Sequence, residues 1–117
     1  MQVASKVFVV TGGGNGMGRE AVLALLERGA TIAALDLRLD SLEETAQLAG
    51  ADDRLTLHTA DVSDNDAVTR AFAEIMSAHG QIDGLLNVAG IIQRFVPIKD
   101  LDLAEIEKVM GVNFWGV

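Results

Sequence analysis

The segment Thr11-Gly-Gly-Gly-Asn-Gly-Met-Gly18 packs five glycines into eight positions, between an apolar run and a helical pattern. A turn of this kind can hold phosphate. The first amides of a helix lack intrahelical partners and carry partial positive charge, so an anion is favoured there. Glycine allows positive φ and lets a diphosphate approach the backbone. The spacing discriminates among phosphate loops. A nucleoside-triphosphate loop needs G-x4-G-K-[ST]; Gly13 and Gly18 fit it, but Arg19-Glu20 stands where Lys and Ser/Thr are required. The dinucleotide pattern G-x-G-x-x-G is not matched at the loop's start, and its alanine form, Gly16 to Ala21, falls inside the helix entry. What fits the strand end is G-x3-G-x-G, at Gly12, Gly16 and Gly18. A plain turn without ligand is the competing reading. It does not need so many glycines, each costing roughly 0.5–1 kcal/mol relative to alanine in regular structure. The candidate contacts are Gly12, Gly14, Asn15, Gly16, Met17 and Gly18.

Asp36 closes the next apolar run, with Leu37 beside it. A dinucleotide-binding unit carries its ribose-reading acid about 20 residues after the glycines. A carboxylate there accepts from the ribose hydroxyls and repels a 2′-phosphate, which favours NAD over NADP. Arg38 is the nearest basic side chain, and no Lys or Arg lies within Gly12 to Gly18. The competing reading is a solvated Asp at a strand end.

These residues need a scaffold, and the pattern supplies one. Lys6–Thr11, Thr31–Asp36, Leu55–Ala60 and Gly84–Val88 read as buried strands. Between them, Arg19–Arg28, Ser41–Ala49 and a segment from Asp64 or Asn65 to His79 read as helices. Gly29 and Gly80 stop two of them. Ser41 with Glu44, and Asp102 with Glu105, have capping-box spacing. Gly90–Asp100 reads as a loop holding Pro97, and a fourth helix runs on from Asp102. Strands alternating with helices predict a parallel sheet with right-handed crossovers. Asp61 and Asn87 then fall at carboxyl ends of strands, where such sheets bind ligands. Asp61 also suits an Asx-type helix cap before Ser63-Asp64, and Asn87 could bond neighbouring backbone.

With these motifs in order, the chain resembles the N-terminal half of the short-chain dehydrogenase/reductase family. The Thr11-Gly12-x3-Gly16-x-Gly18 loop matches its cofactor motif, and Asp61-Val62 matches the pair that contacts adenine. Asn87-Val-Ala89-Gly90 is similar to its N-N-A-G motif, with Val88 for the second Asn; that motif stabilises the sheet and lines the cofactor groove. Asn113 matches its catalytic asparagine, which holds a water in a proton relay. The resemblance implies an α/β fold: a Rossmann-like doubly wound parallel sheet, incomplete at about four strands and four helices. It implies one NAD(P)-binding domain over residues 1–117, ending before the family's Ser/Tyr/Lys region. It further implies NAD as cofactor, an alcohol or carbonyl substrate, and a homo-oligomer. The 117 residues include no tyrosine, so the family's proton donor is not among them. The expectation is a cofactor-binding portion of a longer enzyme, inactive alone. The alternatives are a non-enzymatic nucleotide-binding or association module, and a methyltransferase-type domain, which leaves the Asn87–Gly90 motif unexplained.

Composition narrows the field further. Half of the residues are hydrophobic, too many for a disordered chain. A net charge of −8 argues against nucleic acid or an anionic membrane as partner. Without cysteine and with only two histidines, a thiolate or zinc site is not expected. His58, His79 and the acidic pairs Glu43-Glu44 and Asp52-Asp53 read as structural or solvated. Neither a leader nor a span of about 20 apolar residues is recognisable, so the expected location is cytoplasmic.

Overall fold

A computed structural model describes residues 2–117. Four strands, β1 (Val7–Thr11), β2 (Thr31–Asp36), β3 (Leu55–Thr59) and β4 (Gly84–Asn87), form one parallel sheet in the order β3-β2-β1-β4. The chain steps outward from β1 to β3, then returns to place β4 on the other side of β1. The order therefore reverses between β1 and β4. In open α/β sheets a crevice opens at that point, outside the carboxyl ends of the strands. The register aligns those ends: Thr11 pairs with Leu35 and with Asn87, and Asp36 pairs with Thr59.

Helices cover both faces. On one face, Phe8, Val10, Ile32 and Ala34 pack against Val22 and Leu26 of α1 (Gly16–Glu27) and Leu42 of α2 (Leu39–Ala49). On the other, Val9 and Ala33 meet Ile75 of α3 (Asn65–His79). Successive strand residues point to opposite faces, so β1 is buried along its whole length. This is the doubly wound, Rossmann-like arrangement, with α4 (Leu103–Met110) as the fourth α-helix. Among the described residues, no helix is long and apolar enough to cross a membrane.

The helix starts depart from expectation in instructive ways. Helix α1 begins at Gly16, so Gly16, Met17 and Gly18 form its first turn. Helix α2 begins at Leu39, which puts Ser41 inside it; the Ser41–Glu44 capping box does not form. Glu44 instead pairs with Arg19 at 3.2 Å. Asp102 stands at the N-cap of α4 without a side-chain cap bond; its carboxylate lies 3.7 Å from Arg94, whose amide and guanidinium also donate to Glu105. By contrast Asp64 caps α3 through the amides of Asp66 and Ala67, and Gly80 ends it in the left-handed region. After α4 the chain widens into a π-helical turn, Gly111–Trp115.

Candidate cofactor-binding cleft

The glycine loop is folded back on the start of α1. A Cβ at Gly18 would collide with the carbonyl oxygen of Gly12, and one at Gly12, whose φ is +72°, would meet the Ala89 amide at 2.9 Å. Gly16, at φ +51°, faces open space. Two positions thus need glycine for close packing, and the third leaves the backbone bare at a helix N-terminus, where amide N–H groups favour an anion.

Side chains behind the loop fix its shape. The Asp36 carboxylate accepts the Gly14 amide at 2.9 Å through one oxygen and the Leu37 amide at 2.7 Å through the other. Fully buried Thr45 donates to the Gly13 carbonyl at 2.9 Å and accepts from Arg19 Nε at 3.0 Å. Arg19 also donates to the Gly14 carbonyl at 2.6 Å and the Ser41 carbonyl at 3.3 Å. Its guanidinium is consumed in bracing the loop against α2. The buried Thr11 hydroxyl accepts the amides of Val88 and Ala89, each at 3.1 Å, and so ties the end of β1 to the chain leaving β4.

The resulting cleft, about 440 Å³ in volume, lies across the carboxyl ends of β1, β2, β3 and β4. From the loop and α1 it takes Gly12, Asn15, Gly16, Met17 and Gly18. The end of β2 gives Asp36 and Leu37, the chain after β3 Asp61 and Val62, and the chain after β4 Ala89 and Gly90. Of the residues expected from sequence, three sit elsewhere. Gly14 lies behind the lining, bonded to Asp36. Asn87 faces a second hollow with Leu85, Val68, Phe72 and Trp115, on the α3 side of the sheet. Asn113 closes two hydrogen bonds on the Ile91 backbone, accepting its amide at 2.9 Å and donating to its carbonyl at 2.7 Å. The wall also includes Val88 of the Asn87–Gly90 motif, and Leu35, Arg38, Ala60, Ile91 and Val112, which were not among the residues expected there. Each neighbours a motif residue, and that proximity was the available signal.

Asp61 does two things at once. One carboxylate oxygen accepts the Ser63 hydroxyl at 2.6 Å and the Ser63 amide at 2.9 Å. These bonds, with the positive charge of Lys108 as a lesser cause, hold the carboxyl below the usual range. The turn before α3 is therefore built by the same residue that lines the cleft. Among the described residues, no group of three His, Cys, Asp or Glu could hold a metal ion.

A glycine loop at the reversal of a parallel sheet defines a dinucleotide-binding class of α/β protein. The family model described as short chain dehydrogenase matches residues 6–117, and the chain belongs to that family. A short chain dehydrogenase/reductase of Colletotrichum higginsianum is 36% identical over 112 residues, covering 95% of this chain and 42% of that protein. Levodione reductase of Leifsonia aquatica is 36% identical over 115 residues, covering 96% of this chain and 43% of that protein. Among solved structures, the 3-ketoacyl-(acyl-carrier-protein) reductase of Brucella melitensis, complexed with NADH, superposes with a TM-score of 0.93 at 28% identity. That match covers 98% of this chain and 47% of the reductase. The chain thus spans about half the length of these relatives.

Proposed function

We propose that this chain binds NAD, in preference to NADP, as the cofactor-holding part of an oxidoreductase acting on an alcohol or carbonyl. One observation carries the reading: Asp36, in the cleft, is hydrogen-bonded to the glycine loop that would face the diphosphate. The bare backbone at Gly16 and the start of α1 would hold the diphosphate. Asp36 would hold the adenosine ribose, with Leu37 beside it. Asp61 and Val62 would flank the adenine, and Ala89 and Gly90 the remainder. The cofactor, when bound, supplies hydride exchange at its nicotinamide ring. The NADH complex of the Brucella reductase supports the cofactor class. The carboxylate of Asp36 supports the preference, since a 2′-phosphate beside it would be repelled.

Asn113 enters this proposal by fixing Ile91 at the cleft wall. Its amide retains one donor and one acceptor site for a water. The tyrosine that the family uses as acid/base is not among the 117 residues, so these residues alone are proposed to bind cofactor without turnover. Domain extent (1–117), Asn87 as a support of the sheet and a cytoplasmic location belong to the same proposal.

A second reading, association with other copies, is favoured by the exposure of Leu85, Phe114 and Trp115. Light scattering tests it; a monomer at high concentration excludes it. Titration calorimetry with NAD and NADP tests the main reading. Tighter binding of NAD is expected, and equal affinity would remove Asp36 as selector.

A further inference from the structure

Among the described residues, Arg38 is the one basic residue in the wall of the cleft, two positions beyond Asp36. A guanidinium is the group best matched to a phosphate dianion, and dinucleotide sites that accept a 2′-phosphate place an arginine near the ribose acid. By position alone Arg38 should weaken discrimination against NADP. Its side chain is already engaged. Arg38 Nε donates to one oxygen of Asp40 at 3.1 Å and a terminal nitrogen donates to the other at 2.6 Å, a two-pronged pairing. Asp40 is in turn fixed: it is the second residue of α2 and accepts the Ser41 amide at 2.9 Å. A carboxylate in the first turn is also favoured by the helix dipole. Arg38 precedes the same helix, and its carbonyl accepts the Leu42 amide. The start of α2 therefore sets both ends of the pair.

We propose that Asp40 is a specificity-determining residue for the cofactor, because it occupies the Arg38 guanidinium that would otherwise receive a 2′-phosphate. Discrimination then has two parts: Asp36 repels the extra phosphate, and Asp40 withholds its natural partner. This rests on the reading of the cleft as an NAD site. The Arg38–Asp40 hydrogen bonds, with the Ser41 amide as a second cause, hold the Asp40 carboxyl below the usual range. Both side chains are largely exposed, at 70% and 64%. Exposed pairs contribute modestly, so the withholding is partial and a dianion could contest it.

The test is a double-substitution cycle read by calorimetry on the full chain, with NAD and NADP as probes. The readout is the ratio of the NADP to the NAD dissociation constant. Asp40→Asn should lower it about three- to fivefold, the scale of one exposed ion pair. Asp40→Ser, a second short polar substitution, should do the same. In an Arg38→Ala background Asp40→Asn should move the ratio less than about twofold. An unchanged ratio overturns the proposal. An equal fall without Arg38 also overturns it, since the effect would then be bulk charge. Binding of NAD by the unsubstituted chain keeps the cofactor reading intact in both cases. Failure to bind either dinucleotide overturns that reading and this inference together.

Discussion

The Asp36 carboxylate accepts the Gly14 amide at 2.9 Å, so the end of β2 and the loop after β1 share one acid. The residue proposed to read the ribose also shapes the loop proposed to hold the diphosphate. Stability and binding should therefore separate according to the substitution. Asp36→Ala removes the acceptor for the Gly14 and Leu37 amides, and hydrogen bonds to a charged group contribute roughly 1.5–3 kcal/mol. Asp36→Asn keeps an acceptor oxygen for one amide. Urea unfolding should show the larger loss for alanine, whereas calorimetry should show preference for NAD lost in both. An alanine variant as stable as the parent would mean that the carboxylate does not hold the loop.

Glycine is required for different reasons at Gly16 and Gly18. Alanine at Gly16 meets no atom within 4 Å but must adopt φ near +51°. That conformation costs an L-residue roughly 1–2 kcal/mol. Alanine at Gly18 would drive its Cβ into the Gly12 carbonyl, so α1 must move off the loop. Overpacking of this kind costs roughly 1–3 kcal/mol or more. Gly18→Ala should unfold at lower urea than Gly16→Ala and should lose NAD binding. The reverse order in the unfolding curves would show that the loop yields easily.

Thr56 brings the two histidines together. Its hydroxyl lies 2.8 Å from Nε2 of His58 and 2.8 Å from Nε2 of His79. Its one hydrogen can go to one ring while the other ring's N–H is accepted. Glu74 is the acidic group at hand, 3.5 Å from His58 Nδ1. Burial first, and the nearby His58 second, push the His79 pKa down. The unfolded chain therefore binds more protons than the folded one as the medium acidifies. The stability contributed by neutral His79 is present in full above the unfolded value of about 6.5, and it is lost as pH falls from there through the folded value. Urea midpoints between pH 7.5 and 5, above the carboxylate range, should fall for the parent chain and fall less for His79→Gln. Parallel slopes would assign the acid sensitivity elsewhere.

The legible parts of this molecule were those written in short stretches of chain. The strands announced themselves as short apolar runs, and the loop and Asp36 through spacing. The start of α3 was legible to one residue, Asp64 or Asn65, and Asp64 takes the cap through amides two and three residues on. Contacts set by packing were not. Ser41–Glu44 and Asp102–Glu105 have the right spacing for capping boxes, yet α2 starts at Leu39 and takes Ser41 into its first turn, and Glu44 and Glu105 pair with Arg19 and Arg94 from other elements. Thr45 reads as an ordinary helix threonine, and it becomes a buried link only because α1 packs on α2. Asn87 turned on strand parity. Val88 lines the cleft and its neighbour Asn87 faces the hollow on the α3 side, a one-residue distinction that spacing does not resolve.

Asn113 offers the sharpest local test, because both ends of its amide meet one residue. It accepts the Ile91 amide and donates to the Ile91 carbonyl, at 2.9 and 2.7 Å, from within the π-helical turn. Ile91 in turn forms part of the cleft wall. Asn113→Ala deletes both bonds, each with a net contribution of roughly 0.5–1.5 kcal/mol. Asn113→Asp keeps the acceptor but sets a carboxylate oxygen against the Ile91 carbonyl, so the recovered bond is opposed by repulsion. Hydrogen exchange of the Ile91 amide should quicken about tenfold in the alanine variant, the factor that corresponds to one such bond. The aspartate variant should not restore the parent rate. NAD affinity should fall in both variants, because the segment leaving β4 is no longer held at the cleft. An Ile91 amide that exchanges at the parent rate in Asn113→Ala would show that the clamp does not persist in solution, and the link from this turn to the cleft would then be lost.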